Sequence, residues 1–273
     1  MALIQVSGSA VYYGTGCFET MRAESGKIFR FEEHIQRLNS GLKYLGAFPK
    51  DFMDILQIKK EIEELLSRNN LEKSVAKVRY QVSLQEKKGY GKDEDYKLVT
   101  LVTADEISYQ KTSERSLVQV KTKVIPSHCK PAEFKLSNML HYRNAFREAK
   151  QAGADDGIML TTEGYTAETS VSNIFWKKDN TIYTPSVVCD ILPGIMRSTV
   201  IDMFKEDGRF RVEQGKFLPD ELFEADSVWV TNSILEISAI SRIDGQKVNM
   251  DHDFMTEIRN MLDSKKRGYF KNV

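Results

Sequence analysis

Four histidines and three cysteines are the first residues to ask for chemistry, and their spacing gives little. His34, His128, His141 and His252 are scattered, and with Cys17, Cys129 and Cys189 they make no metal-ligand pattern. The cysteines therefore read as isolated thiols, and no metal is expected. Gly14-Thr15-Gly16 is too short to cradle a phosphate on its own, a plain turn being the simpler reading, and no Gly-Xaa-Ser-Xaa-Gly elbow is present. Arg79 is more suggestive. It lies in a run of alternating residues, where a guanidinium could meet a substrate carboxylate.

The elements that must position such groups are legible in the apolar spacing. Residues 31–46 read as a helix, with Ile35, Leu38, Leu42 and Leu45 in phase, after a Ser25-Gly26 turn and a short strand at 27–30. A second helix is expected over 51–68, with Phe52, Ile55, Leu56, Ile62, Leu65 and Leu66 on its stripe and Asp51 near its start. Ala76, Val78, Tyr80, Val82 and Leu84 alternate with polar residues, as in a strand, and 96–103 makes another. The polar, aperiodic stretch 105–116 marks a boundary. It separates a small α+β domain (1–110) from a larger domain (117–273).

In the larger part, strands are expected at 117–125 and 156–162. A helix over 138–152 lies between them, and a hairpin follows at 171–176 and 181–184 around Asp179-Asn180. Pro193-Gly194 precedes a helix to about Lys205, strands follow near 209–214, 227–232 and 237–242, and a helix spans 251–266. Strands outnumber the crossovers that a doubly wound sheet needs, so α+β with mixed, barrel-like sheets fits better.

Lys plus Arg and Asp plus Glu both number 39, so formal net charge is zero. A nucleic-acid partner is not expected from that balance. No apolar run approaches the ~18 residues of a membrane span, and no signal segment is visible at the start. A cytoplasmic enzyme acting on a small molecule is the expectation.

Four blocks sharpen this. They are YGTGCFETMRAESGKIFRFEEHIQRL (13–38), KLSNMLHYRNAFREAKQAGADDGIML (135–160), EGYTAETSVSNIFWKKDNTIYTP (163–185) with ILPGIMR (191–197), and ADSVWVTNS (225–233). In this order the chain resembles the fold-type IV pyridoxal-phosphate family, over nearly its whole length. That family includes branched-chain and D-amino-acid aminotransferases and aminodeoxychorismate lyases. Most relatives open with a strand and an acidic-basic-glycine turn that MALIQVSGSAVY lacks.

The resemblance implies a two-domain α+β fold and pyridoxal 5′-phosphate as cofactor. Lys135 matches the lysine that holds the cofactor as a Schiff base and then moves a substrate proton. By residue type alone it would pass for a solvated lysine. Glu168 matches the carboxylate that keeps the pyridine nitrogen protonated, and is expected on the strand after the 138–152 helix. Arg37 matches the phosphate arginine, gripping in two-pronged fashion. Gly194, Ile195 and Met196 should offer helix-start N–H groups to the phosphate, joined by Ser233 and Asn232. Tyr13, Arg79, His141 and Tyr90 are candidates for the substrate side. The pocket is expected between the domains, with Arg37 in one and Lys135 in the other, in a homodimer.

For the reaction, GCFET (16–20), TNS (231–233) and RYQVS followed by GYG (79–91) look more like the lyases. The first expectation is therefore 4-amino-4-deoxychorismate cleaved to 4-aminobenzoate and pyruvate. The second is a branched-chain or D-amino-acid aminotransferase using 2-oxoglutarate. Met139 and Leu84 depart from the lyase pattern at the substrate pocket. A protein that binds the cofactor without turnover is the third.

Overall fold

The computed structural model describes residues 8–86, 96–108 and 114–272. The chain divides into two compact units. One runs to Ser108 and takes back Phe134–Met139; the other holds the remaining residues. The division falls inside the anticipated 105–116 stretch. The return of Phe134–Met139 was not anticipated, and it puts Lys135 in the same unit as Arg37.

The first unit contains α1 (Ser9–Tyr12), β1 (Gly16–Glu24), β2 (Lys27–Ile28), α2 (Phe31–Tyr44), α3 (Ile55–Arg68), β3 (Val75–Glu86) and β4 (Tyr96–Glu106). Its antiparallel sheet runs β2-β1-β3-β4. Ser25 and Gly26, both at positive φ, close the β1–β2 hairpin. Two left-handed residues give a turn whose twist suits paired strands, and glycine takes one at no steric cost. The second helix starts later than expected. Pro49–Asp51 forms its own 3-10 turn, and Asp54 caps α3 by accepting from the Gln57 N–H at 2.8 Å. This phases Ile58, Ile62 and Leu66 inward and leaves Leu56 at the surface. These residues pack with Ile35, Leu38 and Leu42 of α2 against Met21, Ala23, Val78, Tyr80 and Val82.

The second unit contains β5 (Arg115–Gln119), α4 (Leu140–Gln151), β6 (Asp156–Leu160), β7 (Thr166–Thr169), β8 (Asn173–Lys178) and β9 (Thr181–Pro185). It continues with α5 (Ile195–Asp207), β10 (Arg211–Gly215), β11 (Ser227–Asn232), β12 (Glu236–Ile243), β13 (Gln246–Lys247) and α6 (His252–Asn272). Its nine-stranded sheet runs β10-β9-β8-β11-β12-β5-β6-β7, with β13 on β12. Parallel pairs (β9–β10, β12–β5, β5–β6) mix with antiparallel ones, which is the mixed α+β arrangement expected. Ile174, Trp176, Val228, Val230 and Ile240 fill one core. Phe175 and Trp229 stack on the opposite face, their centroids 5.6 Å apart. Glu168 sits on β7, one strand later than anticipated, because the Glu163-Gly164 turn separates β6 from a further short strand.

Candidate active site

In the first unit, the backbone around Lys135 is clamped to β1. Cys17 and Leu136 form an antiparallel bridge. The Phe18 N–H donates to the Lys135 carbonyl at 3.0 Å, and the Ser137 N–H to the Gly16 carbonyl at 2.8 Å. Gly16 suits this close packing: a Cβ there would lie 3.0 Å from Ser137 Oγ of the clamped segment and 2.7 Å from the Val82 carbonyl oxygen of β3. The clamp brings Lys135 Nζ to 4.9 Å from the Phe18 ring centroid. The Arg79 guanidinium lies 3.7 Å from the same centroid and donates to Gln81 Oε1 at 2.8 Å. Phe18 pairs with Gln81 and Thr20 with Arg79 across β1–β3, so these side chains share one sheet face. Tyr13, at the end of α1, is half exposed, its ring edge-on to Tyr12. Tyr90 lies outside the described residues.

Arg37 projects from α2 onto the other face of that sheet. Its two-pronged grip is made on Glu19, with Nε 2.7 Å from Oε1 and Nη2 2.8 Å from Oε2. His34, one turn earlier, meets Oε2 at 2.7 Å. Full burial would raise the Glu19 pKa, but Arg37 and His34 outweigh it and pull the carboxyl down to about 2. Nε and Nη2 thus face a carboxylate that neither composition nor spacing had flagged, and the phosphate contact expected of Arg37 stays a proposal.

In the second unit, Glu168 is 3% exposed and held from three directions. Tyr142 of α4 donates its hydroxyl to Oε1 at 2.5 Å, the Leu192 N–H reaches Oε1 at 3.1 Å, and Asn173 Nδ2 reaches Oε2 at 3.0 Å. Burial, with the Glu168 charge beside it, pushes the Tyr142 phenol well above its usual range. Lys130 lies 5.8 Å from the Tyr142 ring centroid; burial lowers its pKa, with Glu168 opposing. His141 is pushed down to about 4, by burial first and Lys130 second. It is therefore a neutral imidazole at neutral pH.

Two residues after Leu192, Gly194 opens α5 without a side-chain cap. A Cβ on Gly194 would stand 2.2 Å from Asn173 Oδ1. Glycine lets the helix start close on the asparagine that holds Glu168, and it leaves the first-turn N–H groups, Ile195 and Met196 among them, uncapped by it. Arg197 follows, buried and donating to the Pro185 carbonyl and to Gln214 Oε1. The Arg197 Nε and the Thr231 hydroxyl are buried with no hydrogen-bond partner among the described residues.

Asn232 is fully engaged in structure. Its Oδ1 accepts from the Ile234 and Leu235 N–H groups, and its Nδ2 donates to the Val171 carbonyl and Ser172 Oγ. These bonds build the turn on which partly buried Ser233 rides, and the phosphate contact expected of Asn232 stays a proposal. The buried Lys266–Glu236 ion pair closes the same turn. Reading the sequence missed Glu19, Tyr142, Asn173 and Arg197. Each stands inside a quoted block, but only a fold shows which neighbour it touches.

This donor set fits a pyridine ring bearing a phosphate. A buried carboxylate held by three hydrogen-bond donors suits a protonated ring nitrogen, and an uncapped helix start adjoining it suits an anion. The residues from 16 to 243 match the model of the family described as amino-transferase class IV. The chain is 31% identical over 271 residues to an aminodeoxychorismate lyase of Bacillus subtilis, covering 93% of this chain and 89% of that protein. It is 29% identical to a D-alanine aminotransferase of Listeria monocytogenes, covering 90% and 84%. A branched-chain amino acid aminotransferase from T.th., solved with pyridoxamine 5′-phosphate, superposes with a TM-score of 0.83 at 26% identity over 98% of this chain and 90% of that one. By family match, relatives and fold together, this chain belongs to the class IV aminotransferase family of pyridoxal-phosphate enzymes.

Proposed function

We propose that this enzyme is a lyase acting on 4-amino-4-deoxychorismate, releasing pyruvate and leaving 4-aminobenzoate. The observation that carries the reading is the sheet face shared by Phe18, Arg79 and Lys135, with a guanidinium and an amine over one aromatic ring. A flat ring beside a cation suits a cyclic carboxylate better than a branched aliphatic chain. The identity to the Bacillus subtilis lyase supports the same reading.

Pyridoxal phosphate, when bound, supplies an electron sink that acidifies the carbon bearing the substrate amine. The protein's own groups do the rest. The amine of Lys135 takes the proton from that ring carbon. Loss of the proton lets the ether C–O bond break, its electron pair going to the leaving oxygen. The enolate of pyruvate departs as the ring becomes aromatic, and one proton, equal to that taken by Lys135, returns to the enolate's methylene carbon to give pyruvate. Arg79 holds a substrate carboxylate, and Glu168 stands as the partner of the pyridine nitrogen. Ser233 and the start of α5 are the phosphate contacts, and neutral His141 offers a hydrogen bond without charge.

A transaminase is the second reading, favoured by 29% identity to the Listeria monocytogenes D-alanine aminotransferase over 90% of the chain. One experiment separates them. The protein, saturated with cofactor, is given 4-amino-4-deoxychorismate with no keto acid present. Continuous release of 4-aminobenzoate and pyruvate supports the lyase. No release, with loss of the visible cofactor band on adding D-alanine or leucine, makes it a transaminase. Silence to all three substrates, with the band retained, leaves a protein that binds the cofactor without turnover. The same preparation, sized by light scattering, tests the homodimer proposed from the family resemblance.

A further inference from the structure

Glu168 was expected from the sequence, but the tyrosine that grips it was not. Tyr142 lies on α4, which opens at Leu140 just after the Lys135 segment. Its hydroxyl donates to Glu168 Oε1 at 2.5 Å, the shortest of the three bonds to that carboxylate named above. The other two donors come from one neighbourhood, because Asn173 Nδ2 also donates to the Leu192 carbonyl at 2.9 Å. Tyr142 is the donor from a separate element. It removes the rotational freedom that donors on one side would leave.

The bond also has an electronic consequence. A carboxylate that accepts several hydrogen bonds is a weaker base than one that accepts none. Lys130 and Arg197 add positive charge that Glu168 feels from two further elements. The phenol stays protonated in this company, so it remains a donor at any pH where the protein works.

We propose that Tyr142 is a positioning residue that fixes the Glu168 side chain and keeps it a poor base, so that the proton shared with the cofactor's pyridine nitrogen stays on nitrogen. This rests on the reading of Glu168 as the nitrogen's partner. A tyrosine that merely filled space beside Ala145 and Ala149 would leave the nitrogen's proton unaffected.

The test uses the holoenzyme loaded with pyridoxal phosphate labelled with ¹⁵N in its ring, in wild type, Tyr142→Phe and Glu168→Gln. Loss of the hydroxyl should move the ring ¹⁵N resonance from the protonated toward the unprotonated pyridine position. It should do so in the same direction as Glu168→Gln and by a smaller amount. A Tyr142→Phe resonance at the wild-type position, with Glu168→Gln shifted, overturns the role of Tyr142 alone. A wild-type position in both variants overturns the assignment of Glu168, and this proposal with it.

Should Tyr142→Phe fail to fold, 3-fluorotyrosine placed at 142 is nearly isosteric and keeps the hydroxyl. Its ¹⁹F resonance should shift further when pyridoxal phosphate is added than when the analogue with carbon in place of the ring nitrogen is added. Equal shifts overturn the proposal.

Discussion

Lys135 and Glu168 are anchored in opposite ways. Lys135 is fixed through its backbone: two main-chain hydrogen bonds and a bridge to Cys17 clamp the segment to β1, and the long side chain reaches over Phe18. Glu168 is fixed through its side chain, with a phenol, an amide and a main-chain N–H on its two oxygens. The difference suits the roles proposed for the two residues. The amine of Lys135, as the proposed acceptor of a proton from carbon, must move on its stem, and a fixed root leaves it that reach. The carboxylate of Glu168, as the proposed partner of a ring nitrogen, must not move, and a held head suits that.

The largest effect should come from the swinging partner. Lys135→Ala should lower turnover by roughly 10²–10⁴-fold, the usual contribution of a positioned acid–base group, and should abolish the visible absorbance of bound cofactor. Retained absorbance would break the contrast, since the anchored root would then have no purpose in holding the cofactor.

Next comes the buried anchor of the first unit. Glu19→Gln strands the Arg37 charge, and removing one partner of a buried pair costs roughly 3–5 kcal/mol, measured by chemical denaturation at pH 7. Its pH dependence has a definite sign. The folded carboxyl is depressed to about 2, so its stabilisation is present above the ordinary carboxyl range near 4.5 and is lost as pH falls toward 2. Wild type should lose more stability than Glu19→Gln across that window; parallel curves would mean that the ion pair contributes nothing.

Gly194→Ala should cost about 1–3 kcal/mol, because the added Cβ meets Asn173 Oδ1. Cofactor affinity should fall with it, since the same asparagine holds Glu168. If stability drops while equilibrium dialysis shows unchanged affinity, the helix start and the carboxylate are not coupled. The smallest effect is at His141. Its folded pKa of about 4 lies below the ordinary 6.5, so the unfolded chain binds its proton first, and stability declines as pH falls through that interval. His141→Asn should flatten part of that decline in a thermal-melt series.

Much of this was legible in the residues. Apolar spacing gave α2, β3 and the hairpin of β8 and β9 to within a few residues, because burial on one face imposes a period on the sequence. β1 was missed, since GCFETMRAE buries residues on both faces and so lacks alternation. The start of α3 was misplaced because two aspartates competed for the cap, and only Asp54 accepts from the Gln57 N–H, three residues on.

The quoted blocks nominated Lys135, Glu168 and the α5 start. They did not reveal that Arg37 grips Glu19, that Asn232 builds a turn, or that Tyr142 reaches Glu168. The sequence by itself determined which groups are present and the short-range geometry around them: a glycine before a helix, a lysine ahead of an amphipathic run. Only the tertiary structure decided which partner each long polar side chain meets. Arginine, tyrosine and glutamate reach several ångströms from the backbone, and their partners lie 18 residues away for Arg37 and 26 for Tyr142. Chain folding sets those separations, and local periodicity does not encode them.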